Sequence, residues 1–299
     1  MAEDSAARRD GDRFAISAAP AIFVLLWSSG FIGGKFGLPY AEPMTFLFLR
    51  MAAVVVLIGL IVLATRPLWP GRVAMLHSAV TGLFVHGFYL GGVFVALDNK
   101  MPVGLVALVV SLQPVLTSTL ANRVLGERVL PRQWGGLLLG IVGVYLVVRS
   151  RTEGEGSLTA WIAATIALIG ITIGTLYQRR FAGETDWRVN FLLQYAASAV
   201  AFGLGAWLFE TRIVQWNLNL VLAFVWLVFA LSFGAIWLLY YLIKRRAAAR
   251  VVSLFYLTPP VTSLMAWGMF GETLALVAIA GMVICAIGVA LVNWRVAVS

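Results

Sequence analysis

Apolar stretches of about 20 residues recur ten times along this chain of 299 residues, joined by short connections. They cover 17–37, 42–64, 75–97, 102–121, 131–148, 158–177, 190–209, 220–243, 251–270 and 274–293. A bilayer core about 30 Å thick takes about 20 helical residues per crossing, so each stretch is long enough to span it. Hydrophobic residues make up 61% of the chain and charged ones only 12%, against roughly 45–50% and 25% in soluble domains. A soluble fold would have to leave large apolar patches in water. Inside lipid every backbone N–H and C=O must be paired within the protein, which makes each stretch a helix. The expected architecture is an all-α integral membrane protein with ten transmembrane helices and no separate soluble domain.

Lys and Arg between the stretches set the orientation, because they concentrate on the cytoplasmic side. With the N-terminus inside, the inner segments carry Arg8, Arg9, Arg13, Arg66, Arg72, Arg123, Arg128, Arg132, Arg179, Arg180, Arg188, Lys244, Arg245, Arg246, Arg250 and Arg295. The outer segments carry Lys100, Arg149, Arg151 and Arg212. Sixteen against four predicts both termini in the cytoplasm, and an even number of spans agrees with that. The net charge of +9 is therefore a topology signal and implies no nucleic-acid partner. Residues 1–16 are charged and lack the cleavage pattern of a signal peptide; they are expected as a disordered cytoplasmic tail. Cys285 is the only cysteine and cannot form an intrachain disulfide.

The chain also repeats itself. A shift of 145 residues without gaps lays Gln113-Pro114 on Thr258-Pro259, Gly126-Glu127 on Gly271-Glu272, Gly136 on Gly281 and Gly143-Val144 on Gly288-Val289. In the same register Phe46-Leu47 falls on Phe191-Leu192 and Lys35 on Arg180. Residues 17–150 thus form a first five-helix repeat and 151–299 a second. Five is odd, so the second copy enters the membrane inverted. The loop charges agree: Arg123, Arg128 and Arg132 correspond to Gly268, Thr273 and Val277, on the opposite face. Inverted repeats are a mark of secondary transporters, with the substrate site near the midplane between the copies.

The stretches hold no pair of carboxylates, no His/Cys cluster with metal spacing and no phosphate-binding loop. No catalytic machinery, metal, cofactor or direct use of ATP is expected, and the lack of a midspan acid argues for facilitated exchange rather than proton coupling. His86 is the exception, near the middle of the third stretch; it is either a packed histidine or a cavity residue that binds substrate or carries a proton. Arg50 lies eight residues into the second stretch, roughly 12 Å deep. An unpaired cation there must face the bundle interior. It serves either helix-end carbonyls and a loop carboxylate or the carboxylate of a substrate. Lys35 is read as snorkelling to the interface.

Most tryptophans lie at stretch ends, as interface anchors do. Trp27 is central in the first stretch, with Phe31 one turn on and Ser28 beside it. Tyr89 shares a face with His86, and Trp237 and Tyr256 lie within the eighth and ninth stretches. These aromatics either pack against lipid and each other or stack on a flat substrate whose polar end meets Ser28, Gln113 and Thr258. Pro114 and the pair Pro259-Pro260 sit within helices at repeat-equivalent places, as fixed kinks or as hinges. Gly135, Gly136, Gly140 and Gly143 permit a close helix contact in the fifth stretch.

The run Leu112-Gln113-Pro114 through Leu125-Gly126-Glu127-Arg128, the Gly-rich helix after it, and Trp27-Ser28-Ser29-Gly30-Phe31 with Lys35 and Arg50 resemble the EamA-type branch of the drug/metabolite transporter superfamily. The resemblance covers the chain and is greatest to bacterial aromatic amino-acid exporters. Thr273 departs from it, standing where a basic residue follows Gly-Glu. The resemblance implies a multi-pass protein of the bacterial inner membrane, surrounded by lipid and expected as a monomer, that exports a small-molecule substrate by alternating access. Helices one to four and six to nine would surround a central cavity, with the fifth and tenth outside it. Amino acids, aromatic ones preferred, are the expected substrates; the alternative is another metabolite or drug, such as a nucleobase or sugar derivative, with proton coupling through His86.

Overall fold

The computed structural model describes residues 2–101, 106, 109–126, 129–149, 157–181, 185–245, 248–270 and 275–293. The described residues form ten helical elements and no sheet: α1 (Ala2–Gly37), α2 (Pro43–Thr65), α3 (Arg72–Asp98), α4 (Gln113–Leu125), α5 (Pro131–Arg149), α6 (Leu158–Phe181), α7 (Trp187–Phe209), α8 (Leu218–Lys244), α9 (248–270) and α10 (Leu276–Asn293). Five of these, α2, α3, α6, α7 and α8, are long and apolar enough to cross a membrane, and shorter apolar stretches lie within α1 and α10. The segment expected as a tail differs from expectation: its backbone continues α1 without a break. Four alanines between Ala2 and Ala15 favour that, since alanine has the strongest helix propensity.

The burial pattern is that of a membrane protein. Leu63, Val56 and Trp207 point outward at 72%, 61% and 68% exposure, while Ser28, Arg50, His86, Gln113, Asn190, Gln194, Ser198 and Ser232 are buried. Lipid is as good a solvent for leucine as the core is, so apolar burial does not hold such helices together. Close backbone approach and hydrogen bonds do. The α5–α10 seam shows this: a Cβ added to Gly136 would lie 2.6 Å from the Gly288 carbonyl oxygen, and one on Gly143 would lie 2.6 Å from the Cys285 nitrogen. Gly140 faces the Tyr256 ring, and Gly135 faces open space. Gly136, Gly140 and Gly143 of the fifth helix thus serve internal packing.

Several helix pairs come in couples related by adding five to each helix number. The α1–α8 pair matches α6–α3, α1–α9 matches α6–α4, and α3–α7 matches α8–α2, while α2–α7, α4–α9 and α5–α10 pair partners with each other. Irregular backbone repeats too. Leu83–Phe88 in α3 and Leu227–Ala235 in α8 are π-helical, and a shift of 145 lays the first inside the second. The helix α4 begins at Gln113-Pro114 after a turn at residues 111 and 112, and the α-helical part of α9 begins at Thr258-Pro259-Pro260 after a 3-10 turn at Ser253–Leu257. The prolines therefore stand at backbone breaks, where a missing N–H costs least. Gly126 ends α4 with φ of 70°, a conformation glycine adopts without penalty. Glu127, Arg128, Gly271 and Glu272, and the side chain of Lys35, lie outside the described residues.

At one end of the bundle the α1–α2 and α7–α8 connections are laced together. Ala41 and Val214 form a β-bridge, and the Gln215 N–H donates to the Tyr40 carbonyl at 2.9 Å. Glu210, at the end of α7, accepts from the N–H groups of Met44 and Thr45 and from the Thr45 hydroxyl, each at 2.7 Å, and so caps α2. Glu42 reciprocates, accepting from the Thr211 N–H at 2.7 Å, the Thr211 hydroxyl at 2.6 Å and the Arg212 N–H at 3.1 Å. These donors, the Thr211 hydroxyl foremost, hold the Glu42 carboxyl below its ordinary range.

Candidate substrate site at the centre of the bundle

Arg50 enters the centre from α2, seven residues past Pro43, and is 3% exposed. Its Nε donates to the Ser232 hydroxyl at 3.1 Å. That hydroxyl donates in turn to the Leu227 carbonyl at 3.2 Å, five residues back, which is the spacing of a π-helix. The Tyr195 hydroxyl, from α7, donates to the Ser232 carbonyl at 2.9 Å. The His86 ring stacks on Tyr195 with centroids 4.3 Å apart. Both π-helical stretches thus meet at Arg50, one through Ser232 and the other through His86. π-Bulges recur at functional sites because they re-aim side chains that a regular helix would turn away.

An aromatic wall closes the other side. Trp27 stacks on Tyr89 at 5.8 Å and 13°, and Phe255 meets Trp27 edge-on at 5.0 Å. Phe23 packs against both Trp27 and Phe255. Between wall and guanidinium lies a cavity of about 40 Å³, lined by Trp27, Gly30, Phe31, Arg50, Tyr89 and Leu231 among others. It has room for little more than a water molecule, whereas small-molecule sites are roughly 300–1,000 Å³. Among the described residues the space at the centre is narrow. Larger openings of about 550 Å³ between α1, α8 and α9 and about 370 Å³ between α2, α3, α6 and α7 lie on the flanks with almost wholly apolar linings, suited to lipid chains.

Several buried polar atoms have no hydrogen-bond partner within 3.5 Å among the described residues. The His86 ring and Nε2 of Gln194, which face each other beside Tyr195, lie near Arg50; the amide of Asn190 lies on α7, Oε1 of Gln113 and the hydroxyls of Thr117 and Ser118 on α4, and the Tyr256 hydroxyl by α5. Native interiors hold few such atoms, and each calls for an explanation.

The residues singled out in the sequence divide into three groups. Trp27, Phe31, Arg50 and Tyr89 line the central cavity, and His86 stands behind Arg50 on Tyr195. Ser28, Gln113 and Thr258 bridge helices: the Ser28 hydroxyl donates to the Thr258 carbonyl at 3.4 Å, and Gln113 Nε2 to the Thr175 hydroxyl at 3.4 Å. Trp237 and Tyr256 face elsewhere. Trp237 is 41% exposed and stacks on Tyr241 on the outer surface, and Tyr256 turns into the space that Gly140 leaves. Tyr195, Ser232, Phe23 and Phe255 belong to the centre and went unnoticed in the sequence. A signal for Tyr195 was there: the shift of 145 that aligns the halves lays Arg50 on Tyr195 and His86 on Leu231, so the centre sits where the two repeats face each other.

Apolar helices around a polar, cation-bearing centre, arranged in two related halves, define a multi-pass membrane transporter. The EamA-like transporter family model matches the chain twice, over residues 14–149 and 158–294. The chain belongs to that family. Among its relatives are an uncharacterized transporter, YvbV, of Bacillus subtilis (24% identical, 92% of this chain and 90% of that one) and an uncharacterized inner membrane transporter, YedA, of Escherichia coli (27% identical, 85% and 83%). A probable amino-acid metabolite efflux pump of Salmonella typhimurium is 24% identical over 89% of this chain and 91% of that one. A solved crystal structure superposes with a TM-score of 0.75 over 92% of this chain and 95% of that one at 22% identity, which shows a shared fold.

Proposed function

We propose that the protein exports amino acids, aromatic ones preferred, by alternating access through the centre described above. In this reading ten spans in two inverted repeats carry both termini on the cytoplasmic side of a bacterial inner membrane. The observation that carries it is Arg50: a buried guanidinium, with no carboxylate beside it among the described residues, facing a cavity walled by Trp27, Phe31 and Tyr89. A fork of N–H donors fits a carboxylate, and the aromatic wall fits a ring. The Salmonella relative's name points the same way. The laced end, outside in this orientation, and the narrow centre describe a state that must open before substrate enters. The backbone breaks at Pro114 and Pro259-Pro260 are the proposed hinges.

A second reading, export of another metabolite coupled to protons through His86, draws support from the two unpartnered ring nitrogens. Counterflow in proteoliposomes tests both. Internal phenylalanine or tryptophan is expected to stimulate uptake of the labelled amino acid, with no response to an imposed pH gradient. Uptake that follows the gradient would select the second reading, and no exchange with any amino acid would remove the first.

A further inference from the structure

We infer that the centre recognises an aromatic monocarboxylate as an anion, so that ring-bearing acids without an α-ammonium group are carried in preference to the matching amino acids. The inference rests on the proposed site around Arg50 and goes beyond it in the charge of the substrate. A zwitterion needs two charged partners. The centre supplies one.

The chain has thirteen Asp and Glu residues, and none falls inside an apolar stretch except Glu42 at the edge of one. Three of the described ones flanking the central helices are committed elsewhere. Glu210 caps α2, Glu42 holds Thr211 and Arg212, and Asp186 takes two hydrogen bonds from the Arg188 guanidinium. Asp98 ends α3 beside Leu97, which lines the far end of the cavity, nine residues and roughly 13 Å along the helix from Tyr89. What faces the centre besides Arg50 includes no carboxylate among the described residues: the His86 imidazole, the Gln194 amide, and the Tyr195 hydroxyl, which already donates to Ser232.

An amino acid whose carboxylate docks on Arg50 holds its ammonium one carbon away. That second cation sits close to the guanidinium in surroundings where Coulomb terms are several times stronger than in water, and among the described residues no carboxylate faces it. A ring-nitrogen acceptor on His86 offsets part of that cost. Removing the ammonium removes the cost while keeping the carboxylate and the ring. Removing the carboxylate instead leaves a cation facing a cation, so aromatic amines are excluded.

The test is counterflow with the full-length protein in proteoliposomes, protein-free liposomes setting the background. Labelled phenylpyruvate and labelled phenylalanine are each followed against internal phenylpyruvate, phenylalanine or phenethylamine. Phenylpyruvate is expected to half-saturate exchange at about tenfold lower concentration than phenylalanine, with phenethylamine inert. Exchange of phenylalanine without phenylpyruvate would overturn the inference and leave amino-acid export standing. Exchange of phenylpyruvate without phenylalanine would uphold the inference and remove amino-acid export. No exchange of either would remove both. Arg50→Gln is expected to abolish phenylpyruvate exchange and Arg50→Lys to retain part of it, each with protein that elutes as the wild type does. Phenylpyruvate exchange persisting in Arg50→Gln would sink the inference, because the carboxylate would then be held elsewhere.

Discussion

The laced end of the bundle and its centre treat polar groups in opposite ways. At the end, two carboxylates from connections far apart in the chain collect six hydrogen bonds, and every donor comes from the other connection. Eight residues further along α2, about 12 Å deeper, Arg50 makes one hydrogen bond among the described residues, to Ser232, and His86, Asn190 and Gln194 keep unpartnered atoms. Satisfied polar groups stabilise a fold, and unsatisfied buried ones weaken it. Where a protein tolerates the second kind in membrane, those groups mark a substrate path. The contrast separates residues that tie one end of the bundle together from buried polar residues left short of protein partners.

Four changes would break or sharpen that contrast. The largest effect is expected at Arg50: Arg50→Gln removes a charge-assisted carboxylate contact and should lower exchange about a hundredfold. The melting temperature should hold or rise, since a buried charge without a counterion goes with it. A large fall in melting temperature would mean that Arg50 is structural. Next comes Glu210→Ala, which removes the cap of α2. It should cost about 1–2 kcal/mol, read as a lower melting temperature, while the half-saturating substrate concentration stays near the wild-type value. A changed substrate affinity would tie the laced end to the site.

Acid should act on the same end by a smaller amount. The folded Glu42 carboxyl titrates below its ordinary value of 4.5. Its contribution is therefore intact above pH 4.5 and is lost as pH falls through the folded value. Thermal melts of the wild type and Glu42→Gln should converge only in that acid window; convergence at neutral pH would show that the carboxylate adds nothing. The smallest effect is expected for Trp237→Ala. Its side chain is stacked on Tyr241 at the surface, so exchange should match the wild type, whereas Trp27→Ala should reduce it clearly. Equal losses in both would mean that substrate passes along the outer face of α8.

Sequence reading went furthest where the signal was local. Arg50 stood out because a cation in an apolar stretch is costly wherever it points, and Trp27, Phe31 and Tyr89 stood out as aromatics clear of the interfaces. Pro114 and Pro259-Pro260 were legible as irregular points through their missing N–H groups, but were read as kinks within helices, whereas they stand at the starts of helical segments. Trp237 could not be told from Trp27 by these means. Both lie within apolar stretches, and only rotation about the helix axis separates a cavity wall from a lipid contact. Ser232 carries no mark at all in the sequence. It matters through one hydrogen bond across 182 residues of chain, made possible by the π-helical stretch that turns it toward Arg50.

The sequence by itself determined the membrane class, the series of apolar helices, the doubling of the chain and the presence of a cation inside it. Each follows from hydropathy, charge or spacing summed along the chain. Tertiary structure decided which face of each helix turns inward, which partners Arg50 meets, and how Glu42 and Glu210 tie one end shut. The reason is the solvent. In water an amphipathic pattern tells a helix how to face, because apolar residues must go inside. In lipid the same residues suit both sides, and helix rotation is left to glycine contacts and cross-helix hydrogen bonds between residues far apart in sequence.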